Sequence, residues 1–215
     1  MKTLHLLPNI LHPASTWKFT PPPIQALIAE SEKGAYAYFK HFSVPKVPVH
    51  LLNEHTKNPL ELLKIAQDEV GLISDAGLPC LADPGSQLVL AARKAGISVQ
   101  AYPGPSSILL ALMLSGLPGQ QFFFHGYLER EEKALERQIQ QFAPGVTHLF
   151  IEAPYRNQKL YETILRTLKA SDLLCIASDL TSPEEWIQTT PISAWKTQPV
   201  PNIHKKPAIL LIFKS

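Results

Sequence analysis

The chain has 215 residues, of which 45% are hydrophobic, so it can bury one large core or two compact ones, and we expect an ordered chain. Its formal net charge of +2 argues neither for a strongly basic tail nor against a modest basic patch, so charge alone does not decide whether the chain binds nucleic acid. Cys80 and Cys175 lie too far apart in sequence for a CxxC redox pair or a thiolate zinc cluster, and we expect a reducing, cytoplasmic location.

Two apolar stretches are too short to be export signals or membrane spans. The first one stops at Pro8, whereas a signal peptide needs a longer apolar run and a small-residue cleavage site. The second, Ile108 to Leu114, is far below the ~20 residues that span a bilayer. We therefore expect a first strand and a core helix, and no contact with a membrane.

Strands and helices alternate along the first half of the chain, an order that is typical of a parallel sheet. Predicted strands cover residues 4–7, 47–52, 70–74 and 97–102, and predicted helices cover 24–31, 35–42, 58–67 and 86–95. Pro21 to Pro23 can open the first helix, and Asn58 followed by Pro59 is a typical helix start. Residues 35–39 fit a strand as well as a helix.

The second half repeats this alternation after a break at Gly116-Leu-Pro-Gly119. We place the domain boundary there, which gives an N-terminal α/β domain over residues 1–117 and a C-terminal α/β domain over residues 118–215. Helices are predicted at 107–115, 131–142 and 157–168, and strands at 147–152, 173–178, 185–189 and 208–213. The last strand is apolar throughout, which predicts a central position in its sheet.

Two loops that follow strands carry the residue types of a ligand site. They are Asp75-Ala-Gly77, after residues 70–74, and Pro103-Gly-Pro-Ser-Ser107, after residues 97–102. We expect one crossover to make their strands a parallel pair, and the loops neighbours at the carboxyl edge of the sheet, where α/β proteins bind ligands. The plainer interpretations are a tight turn at Asp75 and Gly77, and a helix cap at Asp83.

Glu152-Ala-Pro-Tyr-Arg156 ends the first regular strand after the boundary, so a carboxylate, a ring and a guanidinium leave that sheet together. Such a set can position an acceptor group, although the pattern alone favours a plain ion pair between Glu152 and Arg156. Residues 122–128 are aromatic enough to stack a flat ligand, or else to fill a core or a subunit interface.

Several familiar sites are missing from the sequence. We find no GxGxxG loop, P-loop, HExxH helix or GxSxG elbow, which argues against a dehydrogenase, a kinase, a zinc protease and an α/β-hydrolase. The histidines have no accompanying ligand set, so we expect no metal.

Six motifs, in order along the chain, resemble those of the tetrapyrrole methylase family. They are Ser74-Asp-Ala-Gly-Leu-Pro79, Asp83-Pro-Gly85, Pro103-Gly-Pro-Ser-Ser107, Gly116-Leu-Pro118, His125-Gly-Tyr-Leu128 and Glu152-Ala-Pro-Tyr-Arg156. Within the family, the chain is similar to the branch that methylates a cytidine 2′-hydroxyl of small-subunit ribosomal RNA. The resemblance implies two α/β domains with a cleft between them for S-adenosylmethionine, usually in a homodimer, and ribosomal RNA or the small ribosomal subunit as partner.

The resemblance also implies which residues form the site. The cofactor-side positions are Pro8, Asp75, Ala76, Gly77, Ser106, Ser107, Tyr155 and Ala208. Methyl transfer from a sulfonium needs alignment more than a metal, whereas a ribose hydroxyl must also lose its proton. Glu152 is the candidate base, and Arg156 is the candidate for orienting the acceptor or a phosphate.

Two segments depart from the family pattern. Residues 8–13 read Pro-Asn-Ile-Leu-His-Pro where the ribosomal RNA branch has Gly-Asn-Leu and then an acidic residue, and residues 30–33 read Glu-Ser-Glu-Lys in place of Glu-Asp-Thr-Arg. These changes indicate a divergent sub-branch and leave the methyl acceptor open. The candidate functions are a methyltransferase acting on RNA, a methyltransferase acting on a tetrapyrrole or another small molecule, and a cofactor-binding protein without catalysis.

Overall fold

The structure is a computed structural model that describes all 215 residues. The chain divides into two compact units, Met1–Ser106 and Ser107–Ser215, each with its own five-stranded sheet and helices. The predicted class, an α/β protein with two α/β domains, is confirmed. None of the helices combines the length and the apolar composition needed to span a lipid bilayer.

The division between the units lies one helix before the predicted boundary at residues 117 and 118. The intervening helix, Ser107–Ser115, packs on three strands of the second sheet. Gly116 and Pro118 therefore end a helix of the second unit. The domain limits 1–117 and 118–215 stay a prediction.

The sheet of the first unit consists of five parallel strands. They are β1 (Thr3–Leu6), β2 (Ala26–Ala29), β3 (Val49–Leu51), β4 (Glu69–Leu72) and β5 (Ser98–Ala101), in the order β3-β2-β4-β1-β5. Because β1 lies between β4 and β5 and pairs with both, the prediction that these two form a parallel pair is wrong. All five carboxyl ends meet at one edge, so the loops that follow the strands share that edge.

Two α-helices and one 3-10 helix complete the first unit. They are α1 (Glu32–His41), the 3-10 helix Pro59–Lys64 and α2 (Ser86–Lys94). The Ser31 hydroxyl caps α1 by accepting a hydrogen bond from the Gly34 amide at 2.9 Å. Gly85 precedes α2 without a side-chain cap, so the helix cap predicted at Asp83 is wrong.

Two further segments of the first unit differ from prediction. Residues 24–31 contain β2 instead of a helix, because all four β2 residues are buried and a short run that is apolar on both faces carries no period. Residues 58–67 form only the 3-10 helix, although Asn58 does cap it. Residues 35–39, which fit a strand as well as a helix in the sequence, lie inside α1 and are therefore helical.

The sheet of the second unit is mixed. Its strands are β6 (Phe122–Tyr127), β7 (Thr147–Ile151), β8 (Leu173–Ser178), β9 (Trp186–Pro191) and β10 (Ala208–Phe213), in the order β6-β7-β10-β8-β9. Only β6 and β7 are parallel. The central position predicted for the last strand is confirmed, since β10 lies between β7 and β8. The edge strand β6 was not predicted.

Helices cover both faces of this second sheet. They are α3 (Ser107–Ser115), α4 (Glu132–Gln140), the 3-10 helix Pro154–Arg156, α5 (Asn157–Thr167) and the short α6 (Ile192–Trp195). Side chains alternate along β7, so Leu149 joins the apolar cluster of α3 while Phe150 joins the cluster of α4, α5 and α6. The apolar face predicted for α4 is confirmed by Leu135 and Ile139, both buried.

Candidate functional site

Three loops meet at the carboxyl edge of the first sheet, after β1, β4 and β5. The Asn9 amide, after β1, donates to the Gly77 carbonyl at 2.7 Å. A Cβ at Gly104 would overlap the Cβ of Pro8, so only glycine lets the loop after β5 approach so closely. The two loops predicted to be neighbours are thus brought together, with the loop after β1 between them.

Asn9 holds the loop after β4 in place. Its Nδ2 donates to the Ser74 carbonyl at 3.1 Å and to the Asp75 carbonyl at 3.0 Å, and its Oδ1 accepts from the Ile10 amide at 2.9 Å. Asn9 is 4% exposed, and both polar atoms of its side chain form hydrogen bonds within the protein. This residue therefore supports the loop. The Asp75 side chain is left to face outward.

The Asp75 carboxylate is exposed and anchored at its base. The Ser31 hydroxyl donates to Asp75 Oδ1 at 3.0 Å, and the Asp75 amide donates to Glu30 Oε2 at 3.0 Å. A Cβ at Gly34 would overlap this carboxylate, so the start of α1 can lie against it only because the residue is glycine. Asp75 therefore presents a fixed anion at the sheet edge.

Two further carboxyl groups make this edge acidic. Burial raises the pKa of Glu30, and the nearby charge of Asp75 adds to that effect. Burial, followed by the charge of Glu30, raises the pKa of Asp83 to about 6. Carboxylates accept hydrogen bonds from hydroxyls and pair with ammonium groups, so the edge suits a polar ligand that carries positive charge. No set of three or more His, Cys, Asp or Glu side chains in the chain is arranged to hold a metal ion.

The segment between Asp75 and α2 has a strained backbone. Cys80 and Ala82 adopt φ angles of 68° and 69°, in the left-handed region that non-glycine residues rarely enter. Burial raises the pKa of the Cys80 thiol to about 11, so it is not a nucleophile at neutral pH. Strain of this kind persists where the surroundings fix a conformation, as at a ligand site.

The predicted cofactor-side residues fall into two groups. Pro8, Asp75, Ala76, Gly77 and Ser106 lie on the loops at the edge of the first sheet, where Asp75 and Ala76 are exposed. Ser107, Tyr155 and Ala208 belong to the second unit. Their contact with a cofactor stays a prediction.

Glu152 and Arg156 lie at one edge of the second sheet, where β7 ends and the antiparallel β10 begins. Glu152 Oε1 accepts from the Ala153 amide at 2.7 Å, and its Oε2 lies 3.5 Å from Arg156 Nη2. The Glu152 side chain is 3% exposed, and Arg156 Nη2 also donates to the Arg130 carbonyl. The plain ion pair that the pattern favours is therefore present.

The loop before β10 is fixed to the same edge. Asn157 is fully buried, and its Nδ2 donates to the carbonyls of Ile203 at 3.1 Å and Lys206 at 2.8 Å. This loop leads directly into Ala208. The neighbouring Tyr155 is 65% exposed, so its ring is available to a ligand.

A second strained region flanks that loop. Asp179, Thr181 and Lys205 have φ angles of 51°, 67° and 59°. Lys206 Nζ lies 2.8 Å from Asp179 Oδ2, which ties the turn after β8 to the chain before β10. This edge thus resembles that of the first sheet in combining strained turns with buried polar supports.

Sequence reasoning missed the supporting residues of both edges. Asn9, Glu30 and Ser31 each lie within three residues after a parallel strand, and that placement was the signal that could have found them. Asn157 begins a helix and carries no comparable signal, because its partners are backbone carbonyls more than 40 residues away.

The fold is similar to that of solved methyltransferase structures. Uroporphyrin-III-C-methyltransferase from Thermus thermophilus matches with a TM-score of 0.59 at 16% identity, covering 100% of this chain and 95% of that one. The methyltransferase CobJ matches with a TM-score of 0.55 at 16% identity, covering 90% and 95%. At this identity the likeness concerns the fold alone.

Closer sequence relatives carry the name ribosomal RNA small subunit methyltransferase I. The protein from Vibrio cholerae is 30% identical over 174 residues, which are 79% of this chain and 60% of the relative. The protein from Xylella fastidiosa is 31% identical over 179 residues, which are 81% and 66%. The chain thus spans less than two thirds of the length of these relatives.

A family model agrees with the motifs, the fold and these relatives. The model described as Tetrapyrrole (Corrin/Porphyrin) Methylases matches residues 14–195, most of the chain. The resemblance seen in the motifs is confirmed, and the chain belongs to the tetrapyrrole methylase family.

Proposed function

We propose that this chain is an S-adenosylmethionine-dependent methyltransferase that acts on RNA, at a ribose 2′-hydroxyl of ribosomal RNA. The observation that carries the proposal is the acidic edge of the first sheet, where Asp75 presents an exposed carboxylate among three interlocked loops. The names of the relatives support RNA as the acceptor. Family membership supports methyl transfer as the reaction.

The residues of this edge fit the proposed cofactor. S-adenosylmethionine carries an ammonium group and ribose hydroxyls, and it supplies a methyl group already activated by the positive sulfur. Asp75 would bind an ammonium or a hydroxyl, and the exposed backbone at Ala76 would approach the ligand closely. The charges of Glu30 and Asp83, which interact with that of Asp75, would add to the attraction for a cation.

Glu152 and Arg156 stay the predicted catalytic pair. Both Glu152 oxygens are engaged in this structure, so a substrate hydroxyl reaches the carboxylate only when Arg156 turns away. An RNA phosphate is a suitable competing anion, because a guanidinium binds phosphate as a two-pronged donor. In this proposal substrate binding frees Glu152 Oε2, which then accepts the proton of the ribose hydroxyl.

The decisive experiment follows labelled methyl groups. Transfer from S-adenosylmethionine to small-subunit ribosomal RNA, with none to tetrapyrrole precursors, is the expected result. Transfer to tetrapyrrole precursors alone would contradict the RNA proposal. Tight cofactor binding without transfer to any acceptor would favour the binding protein without catalysis.

A matched pair of variants tests the cofactor side. Asp75→Asn keeps the shape and the acceptor for Ser31 but removes the charge, so cofactor affinity should fall about tenfold. Asp68→Asn is the control, because Asp68 lies before β4 at the opposite edge and pairs with Lys2 at the surface. Equal affinity for both variants would refute the role of Asp75.

We also propose a homodimer. The edge strand β6 exposes three aromatic side chains, Phe122, Phe123 and Tyr127, with 43%, 58% and 63% of each residue accessible. Apolar side chains on an unpaired strand edge favour coverage by another chain. Light scattering on the purified chain measures the mass directly, and a monomer would contradict the proposal. The cytoplasmic location stays a prediction.

A further inference from the structure

A cavity of about 480 Å³ opens on the first unit, beside α1 and the segment that follows it. It is lined by Tyr36, Phe39, Lys40, Val44 and Lys46. Its volume falls within the range of about 300–1,000 Å³ that is typical of small-ligand pockets. The lining combines one exposed ring with two ammonium groups.

The cations of this cavity have no anionic partner in the protein. Neither Lys40 nor Lys46 forms an ion pair, and no carboxylate lines the cavity. Lys46 Nζ instead lies 5.2 Å from the centre of the Tyr36 ring. Two unpaired ammonium groups at one cavity favour an anionic ligand.

The Tyr36 ring is half-exposed and packs against a buried ring. Tyr36 is 52% accessible, while Phe39, 3% accessible, packs against its edge with ring centres 6.4 Å apart at 70°. An exposed aromatic ring is a platform on which proteins stack unpaired bases. The cation contact from Lys46 is weak at an exposed site, so a base can displace it and free the ammonium for a phosphate.

Helix α1 connects this cavity to the proposed cofactor site. Ser31 at the start of α1 holds Asp75, and Tyr36 follows Ser31 by five residues in the same helix. The helical rise puts the two about 8 Å apart along the axis. Five residues of helix also turn about 140° around the axis, so a nucleotide at Tyr36 would lie on another face of α1 than the contact between Ser31 and Asp75.

We propose that this cavity binds an unpaired nucleotide of the RNA substrate, with its base stacked on Tyr36 and its phosphates paired with Lys40 and Lys46. The inference rests on the proposed function, for which it supplies an RNA-binding site. The ring, the volume and the two cations together match a nucleotide better than an acidic peptide, which has no flat group to stack.

The test uses the 215-residue chain and a single-stranded oligoribonucleotide of mixed sequence that carries the fluorescent base 2-aminopurine, whose emission falls when it stacks. Tyr36→Ala should abolish the quenching and weaken binding about tenfold, without changing the dependence on salt. Tyr36→Phe, which keeps an aromatic ring, should keep both the quenching and the affinity of the wild type. Lys40→Ala and Lys46→Ala should each lower the slope of log affinity against log salt by about 0.7 and keep the quenching.

Two variants on α2 are the matched controls. Leu90→Ala removes an exposed apolar side chain, and Lys94→Ala removes an exposed lysine that forms no ion pair. Both should bind the oligonucleotide as the wild type does. Melting curves of all variants should coincide, because surface substitutions rarely change stability.

Each other outcome overturns the inference. If Tyr36→Ala keeps both quenching and affinity while the wild type methylates RNA, the nucleotide site is refuted and the proposed function stands. If the wild type methylates only tetrapyrrole precursors and binds no RNA, the proposed function itself fails. If polyglutamate binds the wild type as tightly as the oligonucleotide does, and Tyr36→Ala binds both as the wild type does, the ring takes no part and the cavity is a site for acidic protein segments.

Discussion

Replacing Asn9 by alanine should loosen the loop that carries Asp75. The substitution removes three hydrogen bonds and leaves the carbonyls of Ser74 and Asp75 without their shared donor. At about 1 kcal/mol for each bond, the first unit should lose about 3 kcal/mol of its free energy of unfolding. That is a large part of the stability of a domain this size.

The same substitution should weaken the binding of S-adenosylmethionine. A loop that is no longer held must be ordered again when the ligand binds, and an ordering cost of about 1.4 kcal/mol corresponds to a tenfold loss of affinity. Urea unfolding measures the stability, and titration calorimetry measures the affinity. Asn9→Asp should be no better, because its second oxygen would face two carbonyl oxygens.

A core substitution in the second unit shows whether a loss of stability alone lowers cofactor affinity. Ile139→Ala empties a fully buried position of that core, at a cost of about 2–5 kcal/mol, and should leave cofactor affinity unchanged. If the free energy of unfolding of Asn9→Ala lies within about 0.5 kcal/mol of the wild-type value, and the variant binds the cofactor equally well, the supporting role of Asn9 is refuted.

Three other substitutions have defined outcomes. In the folded chain the Asp83 carboxyl holds its proton up to a pKa of about 6, against an ordinary 3.8, so the free energy of unfolding falls as pH rises between these values. Asp83→Asn should remove that fall and stabilise the chain by about 1 kcal/mol at neutral pH, a value reduced because the group is partly exposed. Urea unfolding at both ends of this pH interval measures the effect, and an unchanged dependence of stability on pH would contradict it. Gly104→Ala should force the new Cβ against Pro8 and cost about 1–3 kcal/mol, measured by thermal unfolding; a neutral effect would mean that the loops separate easily. Glu152→Gln should slow methyl transfer about 100-fold with cofactor affinity intact, and full turnover would exclude Glu152 as the base.

Strands that are strongly apolar and centrally placed could be predicted to the residue. The ranges predicted for β8 and β10 match the structure at both ends, because each is a run of apolar, partly β-branched residues with clear limits. The segment 24–31 failed for the opposite reason. Its proline start is typical of a helix, whereas β2 owes its conformation to pairing with β3 and β4.

The candidate site could be located where its loops directly follow strands. Asp75 and Gly77 could be located because the loop after an apolar strand opens on the sheet edge. The role of Asn9 could not be predicted, because its partners lie more than 60 residues further along the chain and are backbone carbonyls, which any residue type provides. The order of the strands was likewise beyond reach, because alternation gives no sign that β1 lies between β4 and β5.

The inner position of β1 has a consequence for how the chain is made. Thr3 pairs with Glu69 on one side and with Ser98 on the other, so β1, once it has left the ribosome, waits for nearly the whole of its unit. Such distant pairings close large loops and slow folding. Until β5 emerges, one side of β1 stays open to other chains, and the sheet of the first unit is completed only near the end of that unit's synthesis.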